Sequence, residues 1–70
     1  MKKYLVSMVL SGKYSYVLTE SDYALGGFVD IDVNDFAFGS VEEAANIKSD
    51  ITRYARENGD NTTEFIIEEF

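Results

Sequence analysis

Residues 40–59 of this sequence contain a complete set of helix signals, and these limit how the rest of the chain can fold. Ser40 and Glu43 form a capping box, in which each side chain can accept a hydrogen bond from the other residue's backbone amide. Asn58-Gly59 predicts the helix end, because glycine readily adopts the left-handed conformation found there. The apolar residues between these ends form one stripe at helical spacing: Val41, Ala44, Ile47, Ile51, Tyr54 and Ala55. Such a helix covers one face of a sheet.

Four segments have the composition of β-strands, and three of them precede the helix. The first is apolar on both faces apart from Ser7, which is typical of a central strand. Ser11-Gly12-Lys13 predicts a hairpin after it. The predicted strands are 3–10, 14–19, 28–33 and 62–69, with a loop at 20–27. The sequence therefore predicts one α+β domain over residues 1–70, with the order β-β-β-α-β, an antiparallel sheet and one helix packed on one face.

The second face of this sheet has no helix to cover it. The helix cannot cover all of the apolar side chains, and those that stay uncovered are among Leu5, Val9, Val17 and Phe28. They must either be exposed to water or be covered by a partner chain. We therefore expect self-association, as a homodimer.

The chain is strongly acidic, with 13 acidic and 6 basic residues and a net charge of −7. This charge disfavours direct binding to nucleic acid or to an anionic membrane. It favours a basic protein surface as partner, or serves only to keep the protein soluble. The apolar run at residues 4–10 is too short to span a bilayer, and no signal-peptide cleavage pattern follows it. We therefore expect a cytoplasmic location.

The sequence lacks the residue types that most enzymes of this size would need. It has no cysteine and no histidine, so thiolate nucleophiles, imidazole bases and the commonest metal ligands are missing. The glycines at 26 and 27 lead into FVDI rather than into a phosphate-binding helix. The composition predicts a protein that is not an enzyme and that has no cofactor.

The stretch GGFVDIDVND resembles the start of a calcium-binding loop, because Asp30, Asp32 and Asn34 have the spacing of its first ligands. The likeness ends at Asp35, where such a loop needs glycine, and at Val41, where it needs a bidentate glutamate. We therefore predict no metal site. In the predicted strand at 28–33, the valine–isoleucine side faces the helix and the aspartates lie on the open face of the sheet.

The partner-binding surface is predicted to be this open face and its adjoining loops. No lysine or arginine occurs between Lys13 and Lys48, so the acids of that segment have no opposite charge in sequence. The whole chain contains ten aromatic residues, and tyrosines in loops are well suited to protein interfaces. The predicted partner-binding residues are Glu20, Asp22, Tyr23, Asp30, Asp32, Asp35, Glu64 and Glu68.

In its overall character the chain resembles the small acidic phage-encoded inhibitors of bacterial defence, such as anti-CRISPR proteins. The resemblance rests on small size, acidity, the lack of catalytic residues and the acidic runs VDIDVND and EFIIEEF. It implies a protein of the host cytoplasm that blocks the nucleic-acid-binding surface of a defence effector such as a CRISPR complex. Two alternatives stay open: a self-associating structural or accessory protein of a phage or bacterium, and a sponge for a nucleotide signal.

Overall fold

The computed structural model describes residues 2–70 and contains a three-stranded sheet with one long helix. The strands pair antiparallel in the order β2-β1-β3. In chain order the elements are β1 (Tyr4–Leu10), β2 (Lys13–Val17), α1 (Glu20–Ala24), α2 (Val33–Phe36), α3 (Val41–Glu57) and β3 (Glu64–Glu69). The predicted α+β class, with an antiparallel sheet and one main helix, is confirmed.

The long helix α3 begins and ends where its local signals predict. The Ser40 hydroxyl accepts from the Glu43 amide at 3.1 Å, and Gly59 follows the last turn with φ +86°. Its stripe packs on one side of the sheet, the inner face, and forms one core with it. The buried members of this core are Val6, Met8, Val17, Ala44, Ile51, Ala55 and Phe65. Val41 differs from the prediction, because at the first helical position its side chain is exposed.

The predicted strand at 28–33 is wrong. Phe28 alone pairs with the sheet, through a single antiparallel bridge to Tyr16 on the free side of β2. The chain then bends, and the Asp32 carboxylate accepts from the Asn34 amide to begin the short helix α2. Aspartate favours this local hydrogen bond over a place in a strand ladder. Val29 is therefore exposed instead of facing α3.

The predicted loop at 20–27 contains the short helix α1, and β2 ends at Val17 rather than at Thr19. The Thr19 hydroxyl accepts from the Asp22 amide, and the Asp22 carboxylate accepts from the Thr19 amide. This reciprocal pair is a capping box with aspartate in the place usually held by glutamate. It ends the strand by starting a helix.

The other side of the sheet, the outer face, carries no helix among the described residues, yet its centre is closed. The register assigns it Leu5, Ser7, Val9, Tyr14, Tyr16, Glu64, Ile66 and Glu68. Leu5 and Ser7 are fully buried. The ring of Tyr16, from β2, meets the ring of Phe70, beyond β3, edge-on with centroids 6.3 Å apart. These rings meet above β1, so the chain's own aromatics cover part of the face predicted to need water or a partner.

Candidate protein-interaction surface

A surface cleft of about 290 Å³ brings three of the predicted partner-binding acids together. It opens between the end of β2 and the segment that leads into α2. We call it the acidic cleft, and it is lined by Leu18, Asp22, Phe28, Asp30, Ile31, Asp32 and Phe36. The cleft therefore combines carboxylates with an apolar, partly aromatic wall.

Two glycines and two capping aspartates give the cleft its shape. Gly26 and Gly27 both have positive φ, which turns the chain back from α1 toward β2. Phe28 then exchanges backbone hydrogen bonds with Tyr16 at 2.7 and 2.8 Å, which holds one wall against the sheet. Asp22 and Asp32 stand at the starts of α1 and α2, where their carboxylates accept backbone amides.

The chemistry of the acidic cleft suits a cationic group. Asp30 is exposed, and the residues Phe28 and Phe36 are 42% and 52% exposed, so charge and aromatic surface are accessible side by side. A guanidinium or ammonium group gains from a carboxylate and from an aromatic face at the same time.

The other predicted residues have separate positions. Glu20 and Asp35 are exposed on α1 and α2 but do not line the cleft. Glu64 and Glu68 lie on the outer face, on β3. Burial raises the pKa of the Tyr16 hydroxyl, and the nearby Glu68 carboxylate adds to this rise. Glu68 therefore lies beside the pair of rings, Tyr16 and Phe70, that covers part of the outer face.

Tyr23 is placed differently from the exposed loop position that was predicted for it. It lies in α1, half-buried, and packs against Tyr54 and Phe65 with ring centroids 6.0 and 5.8 Å away. Its hydroxyl donates to the Asp60 carboxylate. Tyr23 thus joins α1 to the core.

Sequence reasoning missed the apolar part of the cleft. Leu18, Phe28 and Ile31 were assigned to strands, and their clustering depends on the turn at Gly26-Gly27. The sequence signal that could have indicated the cleft was the alternation of large apolar residues with aspartates directly after two glycines. That pattern also suits a strand with one wet face.

The described residues include no group of three or more acidic side chains placed to hold a metal ion. No helix in this part of the chain is both long enough and apolar enough to cross a membrane. Comparisons with protein-family models, with curated proteins and with solved structures found no match for the chain. The acidic cleft and the residues around it are therefore the basis for a proposed function.

We predict that divalent cations bind the protein no more tightly than about millimolar, the weak end of the range for carboxylate sites. The reason is that Asp22 and Asp32 already accept backbone amides and face no third acid in metal-binding geometry within residues 2–70. Calorimetric titration of the chelator-treated protein with calcium and magnesium measures this. A micromolar calcium constant that disappears in Asp30→Asn would contradict it.

Proposed function

We propose that the protein is a non-enzymatic acidic binding protein that docks on a basic surface of another protein. The acidic cleft, with the adjoining outer face, is the contact surface. The observation that carries this proposal is the gathering of Asp22, Asp30 and Asp32 around the exposed rings of Phe28 and Phe36. Aromatic surface supplies short-range affinity in interfaces, while unlike charge raises the association rate.

The charge around the cleft supports a basic partner. No basic residue lies between Lys13 and Lys48, and the part of this segment from Glu20 to Asp35 contains five acids. One cation reaches this region from elsewhere, since the Lys3 ammonium donates to the Asn34 carbonyl at 2.9 Å. The acids still outnumber it, so the local field attracts a positively charged groove.

The partner class follows from the chemistry of basic grooves and from the resemblance in overall character. Protein grooves rich in lysine and arginine commonly bind the phosphates of nucleic acids. An acidic protein that occupies such a groove excludes the nucleic acid without binding it directly. We therefore propose a nucleic-acid-binding effector of bacterial defence, such as a CRISPR complex, as the class of partner.

A dimer was predicted because apolar residues of the sheet were expected to stay uncovered in a single chain. The packing within one chain covers part of that apolar surface. Of the residues expected to be left over, Leu5 and Val17 are fully buried within one chain, whereas Phe28 remains 42% exposed. Phe28 belongs to the acidic cleft, where a second acidic copy would be repelled. A basic partner therefore fits this surface better than a second copy does.

The test is the triple change Asp30→Asn, Asp32→Asn and Asp35→Asn, measured on a partner captured from a bacterial lysate and then purified. Asparagine caps helices as well as aspartate does, so the start of α2 is retained. We expect the association rate at low salt to fall about tenfold or more, and its salt dependence to flatten.

The matched control is Glu42→Gln, Glu43→Gln and Glu57→Gln, which removes the same formal charge from exposed positions on α3. The control should associate more nearly like the parent, because its charges lie outside the acidic cleft. Equal rates for the parent and the triple aspartate variant would show that the acidity serves solubility alone.

A further inference from the structure

One edge of the sheet is open for hydrogen bonding. Within residues 2–70, β3 pairs only with β1. Lys3 and Phe70 exchange both backbone hydrogen bonds, at 3.1 and 2.8 Å. Because bonded and non-bonded pairs alternate in an antiparallel ladder, the register turns the amides and carbonyls of Phe65, Ile67 and Glu69 away from β1. These three residues form the free edge of β3.

A groove of about 480 Å³ runs beside this edge, between α3 and β3. Its α3 wall contains the small side chains of Ala45, Ser49 and Thr52, and Ile67 is its β3 contribution. Lys48 and Arg53 also line it. An additional strand along β3 would direct every second side chain into this groove, since alternate residues point to opposite faces.

We propose that the free edge of β3 binds an extended, basic segment of the partner protein by strand addition. The inference rests on the proposed function only in taking the partner to be basic. Main-chain hydrogen bonds to Phe65, Ile67 and Glu69 supply affinity, and alternate side chains supply specificity. On the outer face, basic side chains of the added strand lie beside Glu64 and Glu68. On the inner face, its apolar side chains enter the groove above Ile67.

Charge selects this occupant over a second copy of the chain. The strand EFIIEE carries three carboxylates, so edge-to-edge pairing of two copies brings six of them to one seam. Like charges along paired strands are destabilising, and charged edge residues oppose such self-pairing. An extended segment with lysine or arginine at alternate positions brings the opposite charge to Glu64 and Glu68, the two of these carboxylates that lie on the outer face.

The probe is a blocked synthetic peptide of alternating lysine and valine, KVKVKVK, titrated into the isotope-labelled protein. We expect binding that slows hydrogen exchange at the Phe65, Ile67 and Glu69 amides. Two peptides serve as controls, namely EVEVEVE and the equally charged KKKKVVV. Both should bind more weakly, the first for its charge and the second because its lysines do not lie on one side of a strand.

Glu69→Pro removes one outward amide and leaves the hydrogen bonds to β1 in place, because proline is tolerated on the open side of an edge strand. Glu69→Ala is its matched control, since both changes remove the exposed ion pair with Lys2. Relative to the alanine variant, the proline variant should bind KVKVKVK about tenfold more weakly, the effect of losing one backbone hydrogen bond. Circular dichroism checks that both variants are folded.

Strand addition is overturned if both variants bind the peptide equally, if KKKKVVV binds as tightly as KVKVKVK, or if the edge amides stay unprotected. Protection of the same amides without peptide, rising with protein concentration, would assign the edge to a second copy instead. The triple aspartate variant tests the acidic cleft independently. A partner whose association depends on that cleft but not on Glu69→Pro would retain the proposed function and exclude strand addition.

Discussion

Replacing Gly27 with alanine is expected to destabilise the protein by about 3 kcal/mol, because the new methyl group meets two kinds of strain. Gly27 has φ +76°, a conformation that costs an L-residue about 1 kcal/mol. A Cβ there would lie 2.7 Å from the Ser15 Cβ and 3.0 Å from the Tyr16 carbonyl oxygen. The Ser15 Cβ is attached directly to the sheet backbone, so overpacking adds about 2 kcal/mol. Denaturant unfolding monitored by circular dichroism measures the loss.

Gly26→Ala is the matched control for this prediction. Gly26 also has positive φ, +97°, but a Cβ at this position meets nothing within 4 Å. It should cost only about 1 kcal/mol, the conformational part of the effect. Equal losses in the two variants would show that the close approach of Gly27 to β2 does not exist in solution.

The same contact links stability to the acidic cleft. Gly27 lies against the sheet so closely that Phe28 can pair with Tyr16. A shift of the backbone there moves one aromatic wall of the cleft away from Asp30 and Asp32. If the proposed basic partner binds at the acidic cleft, a Gly27→Ala protein that still folds should bind it more weakly than Gly26→Ala does.

The parts of the fold that the sequence predicts correctly are those with strong local signals. The helix α3 has marked ends, and its stripe requires a sheet face beneath Ala44, Ile51 and Ala55. The strands β1 and β3 are dense in apolar and β-branched residues, and the Ser11-Gly12 turn adopts positive φ as hairpin turns require. Local chemistry and tertiary packing agree in these segments.

The segment from Thr19 to Phe36 could not be predicted in the same way, because two local preferences compete there. The alternation of Val29, Ile31 and Val33 favours a strand, whereas aspartate favours capping the start of a helix. The short helices α1 and α2 show that capping prevails at Asp22 and Asp32. A strand at 28–33 would have needed a partner edge along its whole length, but only Phe28 pairs with β2.

This competition also determines how much of the candidate site was foreseeable. The acids were identifiable from composition and from the lack of basic residues near them. Their convergence on one cleft was not, because it depends on the close approach at Gly27 and on two turns that cap helices. Long-range contacts of this kind leave no periodic signal in sequence.

The connection from α3 to β3 is held by one carboxylate, that of Asp60. It accepts from the Tyr23 hydroxyl and from the backbone amides and hydroxyls of Thr62 and Thr63. Arg56 supports the same turn by donating to the carbonyls of Asp60 and Thr63 at 2.8 Å. The carboxylate therefore ties α1, the turn and the start of β3 together.

Loss of the Asp60 carboxylate is expected to destabilise the protein more than loss of the Tyr23 hydroxyl does. Tyr23→Phe removes one of its hydrogen bonds and should cost about 1 kcal/mol. Asp60→Ala removes every bond to the carboxylate and leaves the Thr63 hydroxyl, on a buried residue, without its acceptor. Denaturant titration of both variants at neutral pH provides the comparison. A smaller loss for Asp60→Ala than for Tyr23→Phe would contradict it.

The same carboxylate predicts how stability changes with pH. The hydrogen bonds from Thr63 and Tyr23 hold the pKa of Asp60 far below its usual range, while the bond to Asp60 raises the pKa of Tyr23 to about 12. A lowered carboxyl pKa stabilises the fold above the unfolded value of about 4, and this contribution is lost as the pH falls from there toward the folded-state pKa. The raised tyrosine pKa acts in the opposite direction, stabilising the fold below about pH 10 and losing its effect by about 12.

The measurement is the free energy of unfolding of the parent and of Asp60→Asn at pH 5 and pH 2. Protonation of the other carboxylates affects both proteins, so the difference between them isolates Asp60. The parent should lose more stability than the variant over this interval, because only the parent takes up a proton at Asp60 on unfolding. Tyr23→Phe provides the alkaline counterpart, with a shallower loss than the parent between pH 10 and pH 12. Parallel profiles in the acid interval would mean that Asp60 does not hold the turn as a carboxylate.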